Sequence, residues 1–440
     1  MPPVFLGVIF HWLGGLASGS FYVPYKAVRK WAWEVYWLAG GFFSWIIVPW
    51  VMASILTKGL IPSISEAFAT NPTAMGYAYL FGCLWGIGGL TFGLTMRYLG
   101  MSLGMAVALG LCTVIGTVME DVYKGNFINN IIDQPPYAVI ILGLGVCLLG
   151  VVLAGVAGMS KEREMPDEVK KETIKEFNFT KGVVVATISG VFSACMAFGL
   201  SAAQPLADIS AANGTGSLWV GLPKLCIVLL GGFTTNFIWC SYLLWKNKTA
   251  YQFTNKEVVD PDVPAVDGKP VKVKVNMAWN YFFSALAGTT WYFQFFFYTM
   301  GETRMGEYQF SSWTLHMASI IIFSSCWGLA LGEWRGTSKF TKFILGVAIF
   351  TLLYSTIVVG YGNLMDQRTA AAAEPAAAVV VEGETTADAD AAAEGAEQAP
   401  PAADAPAAEG AEQEQPAAAP AAEAPADSAF VAPGCAYVCA

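Results

Sequence analysis

Apolar runs of about 20 residues recur along this chain from residue 4 to residue 363. An apolar helix of about 20 residues crosses the roughly 30 Å hydrocarbon core of a bilayer. So many such runs cannot all be buried inside a water-soluble domain. Only 13% of the residues are charged, against about 25% in an ordinary soluble chain. The expected fold class is an all-α polytopic membrane protein. Ten spans are read, at 4–24, 34–56, 75–96, 99–119, 136–158, 181–202, 218–245, 277–300, 311–332 and 341–363. The first run lacks the basic flank and cleavage site of a secretory leader and reads as a span.

The third and fourth spans carry the densest small-residue pattern. Gly82, Gly86, Gly89 and Gly93 are spaced four, three and four apart, which forms one stripe on an α-helix. Gly100 and Gly104 continue the pattern beyond Arg97. A glycine weakens a helix in water by about 1 kcal/mol relative to alanine. In lipid, small residues let helix backbones approach closely. These six glycines are therefore read as helix-packing positions.

Charge sets the expected orientation. The net charge is −9, but 13 of the acidic residues and none of the basic ones follow Arg368. Nineteen Lys and Arg fall in the loops after the odd-numbered spans, among them Lys26, Arg29 and Lys30. Lys58, Lys124, Arg304 and Arg368 lie on the other side, and Lys224 lies within a span. The positive-inside rule puts the basic side in the cytoplasm and both termini outside. The expected divisions are a first five-helix repeat (1–158), a charged cytoplasmic connector (159–180), a second five-helix repeat (181–368) and a disordered acidic Ala/Pro/Glu tail (369–440). The tail is too poor in apolar residues to offset its ordering entropy, and it ends with Cys435 and Cys439. The stretch from Lys246 to Asn276 holds several prolines and reads as a loop.

The repeat is visible as weak self-similarity. Gly14–Tyr22 resembles Ser189–Ala197, and Gly40-Gly41-Phe42 resembles Gly231-Gly232-Phe233. Five spans per half is an odd number, so the halves are expected in opposite orientations. Inverted repeats of this kind hold their substrate near the midplane.

Motifs for hydrolases, nucleotide binding and zinc catalysis are absent from the sequence, and no enzyme activity, cofactor, metal or nucleic-acid partner is expected. Attention falls on polar groups at membrane depth, which are costly there and mark function by default. His11 and His316 are candidates for proton coupling, because imidazole titrates within reach of both compartments. Glu120, at a span end, is the third. The plain alternative for each histidine is a hydrogen bond that only ties two helices. Gln294, Trp291 and Tyr298 are substrate-binding candidates on span 8, with Trp313 on span 9 and Asn236 on span 7 as further lining. A sugar needs amide and hydroxyl partners and an aromatic plate for its apolar face. Trp and Tyr at span ends also serve as interfacial anchors. Lys224 either snorkels outward or pairs with Glu120 or Asp121.

The runs Tyr25–Glu34 (YKAVRKWAWE), Trp85–Thr117 with TMRYLGMS in it, Glu176–Asn178, Trp291–Tyr298 (WYFQFFFY) and Ser312–Met317 (SWTLHM) resemble the bacterial L-rhamnose–proton symporter family, of the drug/metabolite transporter superfamily. The resemblance runs from about residue 4 to residue 363. It implies ten helices in two inverted five-helix repeats and proton-driven uptake of L-rhamnose, or a related deoxysugar, across the inner membrane. Competing readings are an exporter, an uncoupled facilitator, or a membrane-embedded glycosyltransferase. The last would need paired carboxylates or a metal at the membrane surface.

Overall fold

In a computed structural model, residues 3–99, 101–164, 178–260, 263 and 270–384 are described. They are nearly all helical. The helices are α1 (Pro3–Ser20, followed by one further turn, Tyr22–Tyr25), α2 (Trp33–Leu56), α3 (Leu60–Thr70), α4 (Pro72–Leu99), α5 (Met101–Tyr123), α6 (Phe127–Asp133) and α7 (Pro135–Glu164). They continue as α8 (Phe179–Ala202), α9 (Gln204–Ala212), α10 (Leu222–Asn247), α11 (Met277–Glu302), α12 (Ser311–Ala330) and α13 (Lys339–Glu384). Among the described residues, nine helices are long and apolar enough to cross a membrane. α11 is not among the nine. It has the length, at 26 residues, but its Asn, Thr, Gln, Trp and Tyr side chains make it less apolar.

Local sequence explains several boundaries. Asn178 caps α8 by accepting from the Lys181 backbone N–H (3.0 Å), and Asn276 caps α11 by accepting from that of Trp279 (3.1 Å). Gly59 adopts φ +63° to open α3, a conformation that costs glycine little. In the middle of α2, residues Phe42–Ile47 form a π-helical segment in which Val48 N–H donates to Phe43 O, five residues back. Pro49 follows directly. It has no N–H to give the Trp45 carbonyl, so the ordinary ladder cannot continue there.

The stretch read as a loop after α10 holds more structure than its prolines suggested. A 3₁₀ turn at Ala250–Phe253 leads to strand β1 (Glu257–Val259), which pairs antiparallel with β2 (Lys272–Lys274). This unit is tied to the start of α2. Glu34 accepts from Asn247 Nδ2 (2.9 Å) and Thr249 Oγ1 (2.7 Å), and Gln252 Oε1 accepts from Ala32 N–H (2.7 Å). Most of the charged connector and residues 385–440 lie outside the described residues, although α13 is helical as far as Glu384.

Helix packing centres on α4, α8, α1 and α11. α1 lies against α11 and α12, and α8 lies against α4 and α5. α10 also packs on α4, and α2 on α11. The glycine stripe divides in use. A Cβ on Gly82 would strike the Val228 carbonyl of α10, and one on Gly86 would come within 2.8 Å of Thr235 Cβ. Gly104 meets Thr95 Cγ2 at 3.0 Å, whereas Gly93 faces open space, so spacing alone placed it in the packed stripe. Gly88, which is outside the stripe, is the glycine against Ser193 of α8. Gly100 lies outside the described residues.

Candidate substrate and proton site

α11 presents Trp291, Phe295, Tyr298 and Glu302 at spacings of four, three and four, and so along one face. All four sit beside aromatic or ionisable residues from other helices.

Tyr298 is the centre of a buried cage. The His11 ring of α1 and the His316 ring of α12 each meet it edge-on, both with centroids 5.3 Å away. They are the only two histidines in the chain. Both are buried, and among the described residues none of their four ring nitrogens has a hydrogen-bond partner. A buried polar group left unpaired costs about 1–3 kcal/mol, so a polar ligand able to reach these nitrogens would find uncompensated partners. Close backbone approach makes the cage possible. A Cβ on Gly301 would lie 2.7 Å from His11 Nε2, and one on Gly14 would lie 3.5 Å from His316 Nδ1. Ser319 Oγ stands 2.7 Å from the His316 carbonyl and 3.0 Å from that of His11, linking α12 to α1.

Trp313 closes one side of the cage, with centroids 6.0 Å from Tyr298 and 6.2 Å from His316. Its Nε1–H donates to the Cys112 carbonyl of α5 (3.1 Å), so the ring remains as a wall. One turn along α11, Glu302 accepts from Lys224 Nζ at 2.8 Å, and Gln204 Oε1 accepts from the same ammonium at 3.2 Å. Lys224 therefore neither snorkels nor joins Glu120 or Asp121. Burial makes the nearest carboxylate, from α11, its partner.

On the other side of the cage, Trp291 belongs to an aromatic cluster. Its centroid is 5.7 Å from Trp45 and 5.6 Å from Trp85. A narrow cleft, with room for about one water, lies here, lined by Phe21, Tyr25, Trp37, Ser44, Trp45 and Trp291. Gln294 is buried on the same helix. Asn236 does not serve it, because Asn236 Oδ1 accepts from Trp37 Nε1 (3.2 Å) and its amide donates to Gly232 O (2.9 Å). Glu120 stands apart, half exposed at the end of α5, bound to Lys124 Nζ (2.7 Å) and Ser201 Oγ (3.2 Å).

Six of the eight proposed proton and substrate residues therefore gather on or beside α11 (Gln294, Trp291, Tyr298, His11, His316 and Trp313). The packing of Trp45, Trp37, Tyr25 and Phe21 around the cleft beside Trp291 was not anticipated from the sequence. Pro49, in mid-span, was the available signal for a disturbed helix at Trp45. Among the described residues no three His, Cys, Asp or Glu gather as a metal site.

The chain matches the family model described as "L-rhamnose-proton symport protein" over residues 2–365. It is 35% identical over 361 residues to the L-rhamnose-proton symporter of Yersinia pestis (strain Pestoides F), covering 82% of this chain and 98% of that protein. The L-rhamnose-proton symporter of Yersinia pseudotuberculosis (serotype O:1b, strain IP 31758) matches with the same identity and coverage. A match along almost the whole membrane body, with both histidines inside it, means that this chain belongs to the L-rhamnose-proton symport family.

Proposed function

We propose that this protein imports L-rhamnose together with a proton, with His316 as the coupling group and the α11 face as the sugar path. The observation that carries the reading is the cage in which two buried, unpartnered imidazoles flank Tyr298. A symporter needs a group that gains a proton on one side and loses it on the other, and imidazole does so near neutrality. His316 ranks above His11 because it also faces Trp313 and Phe295. Gln294, Trp291, Tyr298 and Trp313 line the sugar path. The test is uptake of labelled L-rhamnose by proteoliposomes with and without an imposed proton gradient. Accumulation above the outside concentration, with sugar-driven external alkalinisation, is expected. Uptake that stops at equal concentrations makes it a facilitator, and no L-rhamnose uptake removes the reading.

The membrane body is read as ten spans in two inverted halves, with α11 as the tenth helix. Two observations support this. α1 packs on α11 and α12 as α8 packs on α4 and α5, and exchanging the two halves interconverts these contacts. Gly40 abuts Gly288, and Gly231 abuts Gly82, the same exchange acting on the two Gly-Gly-Phe runs. The basic loops orient the protein in the bacterial inner membrane with both termini outside. Cys435 and Cys439 should then react with an impermeant thiol reagent in intact spheroplasts, and labelling only after lysis would reverse the assignment.

A further inference from the structure

We infer that the connector between α1 and α2, residues 26–32, is the inner gate of the transporter, held shut by a latch built from the second half of the chain. The inference rests on the import and the two inverted halves proposed above, and it names the place where those halves part to release sugar.

The connector is tied at nearly every residue to something distant in sequence. Asn280, near the start of α11, bonds to Arg29 twice. Its Oδ1 accepts the Arg29 N–H (3.0 Å) and its Nδ2 donates to the Arg29 carbonyl (2.9 Å). Lys30 Nζ pairs at 2.7 Å with Oδ1 of Asp260, the residue after β1. Gln252 Oε1 accepts the Ala32 N–H (2.7 Å), and Trp279 Nε1–H donates to the Ala27 carbonyl (3.0 Å). Lys26 Nζ lies 3.5 Å from Glu333, in the turn between α12 and α13. Trp31 is buried edge-on to Tyr281, with centroids 4.9 Å apart. Each of these partners belongs to the second half, whereas the connector belongs to the first. Opening toward the cytoplasm requires the two halves to separate at this end, and these ties are what must break.

Three features mark a latch and not a fixed joint. First, Lys30 has φ +61°, a left-handed conformation that is uncommon for a residue with a Cβ. Strain of this kind persists only where the surroundings impose it, and here Asp260 and Asn280 hold the residue and its neighbour. Second, the ion pair reaches the surface, with the Lys30 side chain 30% exposed, so water can replace each partner as it leaves. The buried Lys224–Glu302 pair differs, because it joins α10 to α11 inside the second half and survives when the halves part. Third, the connector continues directly from Phe21 and Tyr25, which line the narrow cleft beside Trp291. That cleft has room for about one water, so no sugar passes this end of α1 while the latch is closed.

The test ties the latch shut chemically. Lys30→Cys with Asp260→Cys is bridged by a short bis-methanethiosulfonate linker. Labelled L-rhamnose uptake into proteoliposomes is measured before bridging, after it and after reduction, with the bridged fraction read by mass and each single variant as control. Uptake is expected to fall in proportion to the bridged fraction and to return on reduction. Binding of L-rhamnose to the bridged protein in detergent, read by calorimetry, should persist. Lys26→Cys with Glu333→Cys bridges the same connector to the turn after α12 and gives the same readout if the first pair does not fold. Full uptake by completely bridged protein overturns the inference. So does loss of binding together with uptake, which would mark a distorted protein. Failure of the unaltered protein to take up L-rhamnose overturns the reading beneath, whereas normal uptake by unaltered and bridged protein alike overturns this inference alone.

Discussion

On α11, Tyr298 and Glu302 are one helical turn apart, and the two surroundings treat buried polar groups in opposite ways. Around Glu302 the accounting is complete. Lys224, with its side chain 3% exposed, donates one hydrogen bond to Glu302 and another to Gln204. Around Tyr298 it is open, because four imidazole nitrogens have no partner. A folding protein pairs buried polar groups wherever it can, since each orphan costs stability. The paired group is therefore read as architecture, holding α10 against α11. The unpaired groups are read as the place where stability has been given up for ligand or proton binding.

The sharpest way to break this contrast is His316→Gln. If the cage carries the proton, the variant loses accumulation against a gradient and the sugar-driven alkalinisation. It keeps exchange of labelled L-rhamnose at equal concentrations on both sides. Counterflow and accumulation assays on the same vesicles measure both. Accumulation that survives with its pH dependence intact would remove His316 and leave His11 and Glu120.

The ion pair should respond in stability instead. Lys224→Met strands the Glu302 carboxylate in a buried site, and removing one partner of such a pair costs about 3–5 kcal/mol. The double variant Lys224→Met with Glu302→Gln strands no charge and should recover most of that loss. Unfolding in detergent gives the three free-energy differences. Transport per folded molecule should change far less than for His316→Gln. A double variant that folds well but has lost sugar exchange would make the pair part of the path and end the contrast.

A third variant probes how tightly the cage is built. Gly301→Ala places a Cβ 2.7 Å from His11 Nε2, so the α1–α11 contact must open or the ring must turn. Overpacking of this kind costs about 1–3 kcal/mol. The expected signature is moderate destabilisation together with a changed pH profile of uptake. A fully normal protein would mean that His11 moves freely and that the cage is loose.

The membrane spans and the family were legible in the sequence because length and apolarity set the first and long motifs carried the second. The cage was only half legible. His11, His316, Gln294 and Trp291 stood out as polar or aromatic residues at membrane depth, but their mutual arrangement did not. The reason is physical. In water, the polar face of a helix shows which way it points; in lipid, both faces are apolar. α13 exposes Phe343, Phe350 and Ile357 and buries Leu345, Leu352 and Val359, and no hydropathy pattern separates the two sets. Rotation about each helix axis was therefore undetermined. With it went the partner of Lys224, the idle position of Gly93 and the pairing of Asn236 with Trp37. The hairpin after α10 was hidden for a different reason. Strands of three residues carry too short an alternation to read among prolines and charges.

The smallest expected effects come from two amides, and they test the same contrast at the scale of single hydrogen bonds. Asn236 is paired: it accepts the Trp37 N–H and returns its own to Gly232. Asn236→Leu leaves the buried Trp37 N–H without its acceptor, at about 1–3 kcal/mol of stability, while L-rhamnose affinity in the folded fraction should hold. Gln294 is buried on the cage helix and is not served by Asn236. Gln294→Leu should therefore leave stability nearly unchanged and weaken L-rhamnose, by roughly tenfold if one neutral hydrogen bond is lost. Measuring unfolding and apparent affinity on both variants gives four values with a crossed pattern. If Gln294→Leu costs stability and not affinity, the carboxamide is a structural group, and the sugar path narrows to the aromatic face of α11. If Asn236→Leu costs affinity, the path extends to α10, because Trp37, which Asn236 orients, lines the cleft beside Trp45.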